Sequence, residues 1–317
     1  METLYTNRLH GFPNLTAGQF GPVPEEGVLS LVVVLATSVS LVALVFAFIT
    51  YSLFSDLRNL MGTTVMTLLA TTFMAQLIYV VGVGGVHDKE LCLSISFSLQ
   101  YLHLAAILWL SSLCVESQVI KRECAPQPNK MCFKFLFSCL VCWGLPALAV
   151  SAAYAVTDTD HLGHMYKVNC WFSENKIYLL TYSFPALSLL SGSACALIRS
   201  RVSLEYRLRM EADIKSRTRM STSGRLELSL YARFVALLTI LDICGALHMA
   251  TNAYFFWVAY NVLHAIQGVL MALSATCNSQ VLSVYTRKNR RRRSASRLLS
   301  ETTSVDSLDW RPLPNTV

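Results

Sequence analysis

Polar and apolar residues along this chain fall in long blocks rather than short periods. Seven apolar stretches stand out, at 28–54, 60–82, 92–117, 132–156, 177–198, 230–251 and 255–279. Each is long enough, at about 1.5 Å per helical residue, to cross about 30 Å of hydrocarbon. The last two nearly fuse. They are divided at Thr251-Asn252-Ala253, because an unbroken run of about 50 residues exceeds any bilayer. None of the stretches alternates with period two, which excludes a membrane barrel and leaves helices to satisfy the backbone. The pattern predicts an all-α fold, a seven-transmembrane helix bundle over 28–279. A short segment, 1–27, precedes it, and a basic juxtamembrane segment, 280–293, and a disordered tail, 294–317, follow.

Composition supports the blocks. Of 317 residues, 54% are hydrophobic and 14% charged, against about 25% charged in a soluble domain. A soluble enzyme, a disordered chain and a fibrous repeat are excluded. Charge then orients the bundle. Alternating the connections places Arg8, Lys89, Lys167 and Lys176 on one side and the other 22 of the 26 Lys and Arg (26 − 4) on the opposite side. The positive-inside rule makes the richer side cytoplasmic, with the N-terminus outside and the C-terminus inside. The net charge of +7 is thus a topology signal, and no nucleic-acid partner is expected. Asn14-Leu15-Thr16 is a glycosylation sequon on the side assigned outside. Residues 1–27 contain no apolar run, so no cleavable signal peptide is expected and the first span directs insertion.

Most of the ten cysteines sit within spans or at the reducing face. Only Cys92, at the outer start of the third span, and Cys170, in the loop between spans four and five, face the oxidising side, where an isolated pair is expected to form a disulfide.

Local motifs add a resemblance. Cys142-Trp143-Gly144-Leu145-Pro146 in span four is similar to the Gly-Trp-Gly-x-Pro signature of secretin- and adhesion-type G-protein-coupled receptors. Cys170-Trp171 resembles that group's Cys-Trp pair, and Asn261 to Gly268 its Asn-x-x-Gln-Gly run, with His264 in place of the Asn. Span three carries a mid-span Trp109 and an inner Glu116 in the group's pattern. Leu57 to Gly62 looks most like the insect Methuselah receptors, with Met61 where those have His. Ser193 stands where the group has Asn after the span-five proline, and Thr239 to Gly245 replaces its aromatic span-six region. The resemblance covers about 28–285. It implies a receptor of the plasma membrane that passes an extracellular ligand's signal to a heterotrimeric G protein. The ligand's identity is left open. The group's large ectodomain has no counterpart in 1–27, so the expectation is that the bundle itself takes the ligand or that the chain is a shortened form.

Ionisable groups at membrane depth are costly and point to function by default. Asp242 lies about twelve residues into span six with no Lys or Arg at that depth, and is expected to be protonated or bonded to His264, Asn261 or a bound cation. His103, His248, His264 and Asn261 are pocket candidates. An aromatic stripe of Trp109, Trp143, Tyr182, Phe184 and Trp257, with Trp171, is expected to line the pocket. Pro146 and Pro185 are expected to bend spans four and five and open the outer half. Gln267 and Gly268 suit close helix contact. For Glu116 the resemblance implies a place in an inner polar lock joining spans two, three, six and seven.

On the inner side, Leu204 to Lys215 reads as a continuation of span five, with a break at Ser221 to Gly224. Lys121, Arg122, Arg207, Arg209, Arg287 and Lys288 are expected to face lipid headgroups and the G protein. Basic residues before Ser294 mark Ser294, Ser296 and Ser300 as phosphorylation candidates.

No catalytic constellation, metal-ligand cluster or cofactor motif is present in the sequence, and no lysine in 230–280 offers a retinal Schiff base. Two other classes stay open. A seven-span metal-dependent hydrolase would need His103, Asp242 and His264 to converge, and a small-solute transporter would show internal repeats.

Overall fold

The computed structural model describes residues 25–54, 60–82, 89–120, 128–156, 179–251 and 253–276. Seven long helices fill them: α1 (Glu25–Leu53), α2 (Leu60–Gly82), α3 (Lys89–Ile120), α4 (Pro128–Val156), α5 (Phe184–Met210), α6 (Ile214–Thr251) and α7 (Tyr254–Thr276). A π-helical turn, Leu179–Ser183, runs directly into α5. All seven contain a stretch long and apolar enough to cross a membrane.

The helices close into a ring with one of them inside. α3 packs against α2, α4, α5 and α6, while α7 closes the ring between α6 and α1. Burial follows from that placement: 61% of the α3 span is buried, against 22% for α1 and 11% for α4. α1 and α4 turn leucine, valine and phenylalanine outward, among them Val42, Leu53, Phe133 and Leu140, as lipid-facing helices do because hydrocarbon does not penalise apolar surface. The core centres on Trp109, Leu110 and Leu113 of α3 with Leu68, Leu69, Phe234, Tyr260 and Met271 around them.

At the inner ends α5 runs through Leu204 to Met210, and α6 starts at Ile214, so the expected continuation of span five ends at Met210 and Ile214 and Lys215 belong to α6. The predicted break at Ser221 to Gly224 is absent, since these residues lie inside α6. Thr222 gives its hydroxyl to the Thr218 carbonyl at 2.9 Å, which satisfies the hydroxyl within the continuing helix. Gly224 serves close approach: a Cβ there would meet Leu204 Cδ2 of α5 at 2.9 Å. The turn lies at Glu211 to Asp213 instead. Glu211 leaves the helix in extended conformation, its N–H on Arg207 O. The Asp213 carboxylate accepts the Ser216 N–H at 3.2 Å, the bond an N-cap aspartate makes to an orphan amide of the first turn.

The prolines act differently from one another. Pro146 sits inside an α4 that continues from Pro128 to Val156. Pro185 falls in the first turn of α5, just past the π-turn, where its missing N–H costs little.

Candidate functional site

The centre of the bundle holds a polar network built from four helices. His103 of α3 and His264 of α7 face each other, Nε2 to Nε2 at 3.2 Å. His103 Nδ1 lies 2.8 Å from the Leu99 carbonyl. A carbonyl only accepts, so Nδ1 carries the proton and Nε2 of the neutral ring is an acceptor. His264 must then donate from its Nε2, which leaves its buried Nδ1 as an acceptor, and that atom has no hydrogen-bond partner among the described residues. Gln76 of α2 donates from Nε2 to the His264 carbonyl at 2.8 Å. Ser40 of α1 donates to Gln76 Oε1 at 3.0 Å and accepts the Val269 N–H at 3.2 Å. The chain Ser40–Gln76–His264–His103 thereby ties α1, α2, α7 and α3 together. Serine, glutamine and histidine bonds between helices in hydrocarbon are worth about 0.6–2 kcal/mol each.

A second strand of the network lies on the Asn261 side. Tyr79 donates to Asn261 Oδ1 at 2.6 Å, and Asn261 donates to the Trp257 carbonyl at 2.8 Å. The Tyr79 ring packs 4.2 Å from the His264 ring, and Tyr260 lies 5.8 Å from it. The ring of Tyr182, in the π-turn, meets His103 edge-on at 6.3 Å. Two tight spots fix α7 in place. Gly268 has Ser40 Oγ in the position a Cβ would take, with Gln76 Oε1 and Leu44 Cδ1 each at 2.7 Å. Gln267, 3% exposed, gives its amide only a long contact to Met271 Sδ at 3.9 Å.

A narrow cavity of about 10 Å³ lies against this network, bordered by Thr72, Gln76, His103, Tyr182, Leu238, Leu241 and Gln267. That is about the room of one water molecule. A larger hollow of about 630 Å³ lies between α2, α3 and α4, lined by Met74, Ile78, Tyr101 and Ala147 among others.

The sequence candidates separate on this geometry. His103, His264, Asn261, Tyr182, Gln267 and Gly268 come together. His248 does not: its Nδ1 lies 3.4 Å from the Ala253 carbonyl at the α6–α7 turn. Trp109 is fully buried beside Phe135 and Trp143, on the α4 side of α3, so the expected lining role of Trp109 and Trp143 is replaced by packing. Phe184 is 70% exposed and borders neither of the two cavities described above. Trp257 stacks on Tyr254 at 5.8 Å. Asp242 meets neither His264 nor Asn261. It is 3% exposed, and both its carboxyl oxygens are without a hydrogen-bond partner among the described residues. Glu116 accepts from Ser138 of α4 at 3.2 Å and from Ser112 at 3.5 Å, and it also interacts with Thr64 of α2 and Tyr231 of α6. The rotation of α3 that buries Trp109 against α4 brings Glu116, two turns later, to the same side.

Cys170, Trp171, Asn14, Lys121, Arg122, Arg287, Lys288, Ser294, Ser296 and Ser300 lie outside the described residues, as do the Cys92 side chain and half of the 57–62 likeness. Arg207 is half-buried and Arg209 exposed at the end of α5. Sequence reasoning overlooked Ser40, Gln76 and Tyr79. Gln76 is the one amide in α2, which was the available signal. Among the described residues no three His, Cys, Asp or Glu side chains are grouped to hold a metal, and the hydrolase alternative draws no support from the two histidines that do meet.

Comparison with known proteins decides the family. The profile of the 7 transmembrane receptor (Secretin family) matches residues 27–273, from the start of α1 to the end of α7. The chain belongs to this receptor family. Human "Cadherin EGF LAG seven-pass G-type receptor 1" is 27% identical over 157 residues, 50% of this chain and 5% of that protein. Human "Adhesion G protein-coupled receptor E3" is 26% identical over 175 residues, 53% of this chain and 26% of that receptor. Macaca mulatta "Adhesion G protein-coupled receptor E2" is 24% identical over 276 residues, 83% of this chain and 32% of that receptor. The chain thus spans a third or less of each of these relatives. As a secretin-family receptor with seven spanning helices it is a multi-pass protein of the plasma membrane.

Proposed function

We propose that this secretin-family chain acts as a G-protein-coupled receptor, transducing an extracellular ligand to a heterotrimeric G protein. The observation that carries the reading is the family match across all seven helices. The central network supports it. His103, Gln76 and His264 join helices that must shift against one another in a ligand-triggered rearrangement, and a few bonds of about 1 kcal/mol hold one arrangement without locking it.

In this reading the N-terminus and the Cys92–Cys170 bridge are outside, Asn14 carries a glycan, and Trp171 contributes to the ligand pocket. The inner ends of α5 and α6 receive the G protein together with Lys121, Arg122, Arg207, Arg209, Arg287 and Lys288, which also meet anionic lipid. Ser294, Ser296 and Ser300 are regulatory phosphorylation sites. Co-expression with each of the four Gα classes, read as G-protein dissociation in cells, tests the proposal. A basal or ligand-raised signal with one class is expected. Silence with all four, at verified surface expression, overturns it.

A further inference from the structure

The buried polar atoms around the central cavity are out of balance. Gln267, which borders the cavity, leaves its Oε1 without a partner among the described residues, as His264 does its Nδ1. Asp242 adds two more unpartnered oxygens. Leu238 and Leu241 line the cavity, and Asp242, outside that lining, stands one turn beyond the first and next to the second on α6. Tyr182, also in the wall, is close enough to Asp242 to interact with it electrostatically. The nearest Lys or Arg along α6 is Arg233, nine positions away or about 13 Å, with an exposed side chain, and the nearer His248 turns its Nδ1 to the Ala253 carbonyl. An unpaired carboxylate at this depth is strongly destabilising. A protonated Asp242 would be a donor beside this surplus of acceptors, yet neither of its oxygens reaches one. What the site lacks among the described residues is a partner for this carboxyl.

We propose that the cavity bordered by Gln267 and flanked by Asp242 takes a small inorganic monovalent cation of sodium size. Its room, about that of one water, admits such an ion and excludes an organic ammonium. The donors are oxygens, which a hard cation prefers: the Asp242 carboxylate, the Gln267 amide oxygen and the Thr72 hydroxyl. The ion joins α6 to α2 and α7, a connection that no hydrogen bond of Asp242 supplies. It biases the same helices that the receptor reading sets in motion, but does not depend on G-protein coupling.

The test uses the full chain in lipid nanodiscs, with thermal melting followed while NaCl replaces N-methyl-D-glucamine chloride at constant ionic strength. The midpoint of the wild type is expected to rise by about 2–4 °C once sodium exceeds its dissociation constant about tenfold. Asp242→Asn is expected to abolish the rise. If that variant does not fold, Gln267→Met, which keeps the volume and removes the amide oxygen, is expected to weaken the sodium response at least threefold. No sodium-specific rise in the wild type, or a rise retained in the variants, overturns the cation and leaves a neutral, water-filled site. A sodium response in a receptor silent in the dissociation assay would remove the signalling proposal alone. Signalling without a sodium response would remove the cation alone.

Discussion

His103 and His264 join α3 to α7 through one imidazole–imidazole hydrogen bond at 3.2 Å, and the Leu99 carbonyl dictates which ring donates. Neither ring is interchangeable with an apolar one in isolation. His264→Phe leaves His103 Nε2 as a buried acceptor facing a ring edge, while His103→Phe strands the His264 N–H. Each single change is expected to cost about 1–3 kcal/mol, or about 2–4 °C of melting midpoint per kcal/mol. The double Phe variant removes both orphans and is expected to fall short of the sum by about 0.5–3 kcal/mol. Melting of the four proteins in nanodiscs closes the cycle, and strict additivity would mean the two rings are not coupled.

Tyr79→Phe probes the other strand of the network. The ring and its packing on His264 stay, and only the 2.6 Å bond to Asn261 is lost. Asn261 keeps its bond to the Trp257 carbonyl, so the expected loss is about 0.6–2 kcal/mol. Surface expression is expected to persist, and basal G-protein activity to change. Unaltered melting and unaltered basal activity would make the bond irrelevant to both.

At Gly268 the crowding is on the page. An added methyl must displace Ser40 Oγ and come within 2.7 Å of Gln76 Oε1 and Leu44 Cδ1. Gly268→Ala is expected to destabilise by about 1–3 kcal/mol. Adding Ser40→Gly opens the space but removes the hydroxyl that serves Gln76 and Val269, so rescue is expected to be partial. Melting midpoints of the single and double variants decide it.

How much of this could be read from residues alone follows from what each feature depends on. Seven spans are visible because hydrocarbon demands about 20 apolar residues in a row, a local and nearly unmistakable signal. Asp242, His103 and His264 are visible for the converse reason, since an ionisable side chain stands out in such a run. That the two histidines meet, and that Asp242 meets neither, depends on how α3, α6 and α7 are rotated, and no single helix carries that information. Gln76 and Tyr79 passed unnoticed because neutral polar residues are tolerated in spans and look like background. Ser221 to Gly224 was misjudged because the turn grammar of soluble chains treats glycine as a breaker, whereas here it admits Leu204.

Topology has its own test. With the N-terminus outside, Asn14 is expected to carry a glycan removed by endoglycosidase and lost in Asn14→Gln. Non-reducing peptide mapping is expected to recover a Cys92–Cys170 peptide, whose loss by mutation would cost about 2–4 kcal/mol. An N-terminal epitope detected only after cell permeabilisation would reverse the orientation.

The glycines of the inner half give a contrast that separates helix propensity from packing. Gly192 of α5 and Gly224 of α6 are both helical, and glycine in a helix interior is about 0.5–1 kcal/mol less favourable than alanine. Nothing lies within 4 Å of a Cβ at Gly192, so Gly192→Ala is expected to leave the melting midpoint unchanged or raise it by one to a few degrees. At Gly224 the same methyl would stand 2.9 Å from Leu204 Cδ2 and 3.0 Å from Cδ1. Leu204 is 2% exposed and cannot swing away without losing its own packing. Gly224→Ala is therefore expected to lower the midpoint, with overpacking of about 1–3 kcal/mol outweighing propensity. Leu204→Ala in the same chain is expected to recover part of that loss. Because α5 and α6 are joined here by only Glu211 to Asp213, pushing them apart at Gly224 also alters the surface proposed above to receive the G protein. The dissociation signal is expected to shift with Gly224→Ala and to stay level with Gly192→Ala. Equal behaviour of the two glycines in melting would show that the α5–α6 contact at Leu204 does not constrain the pair.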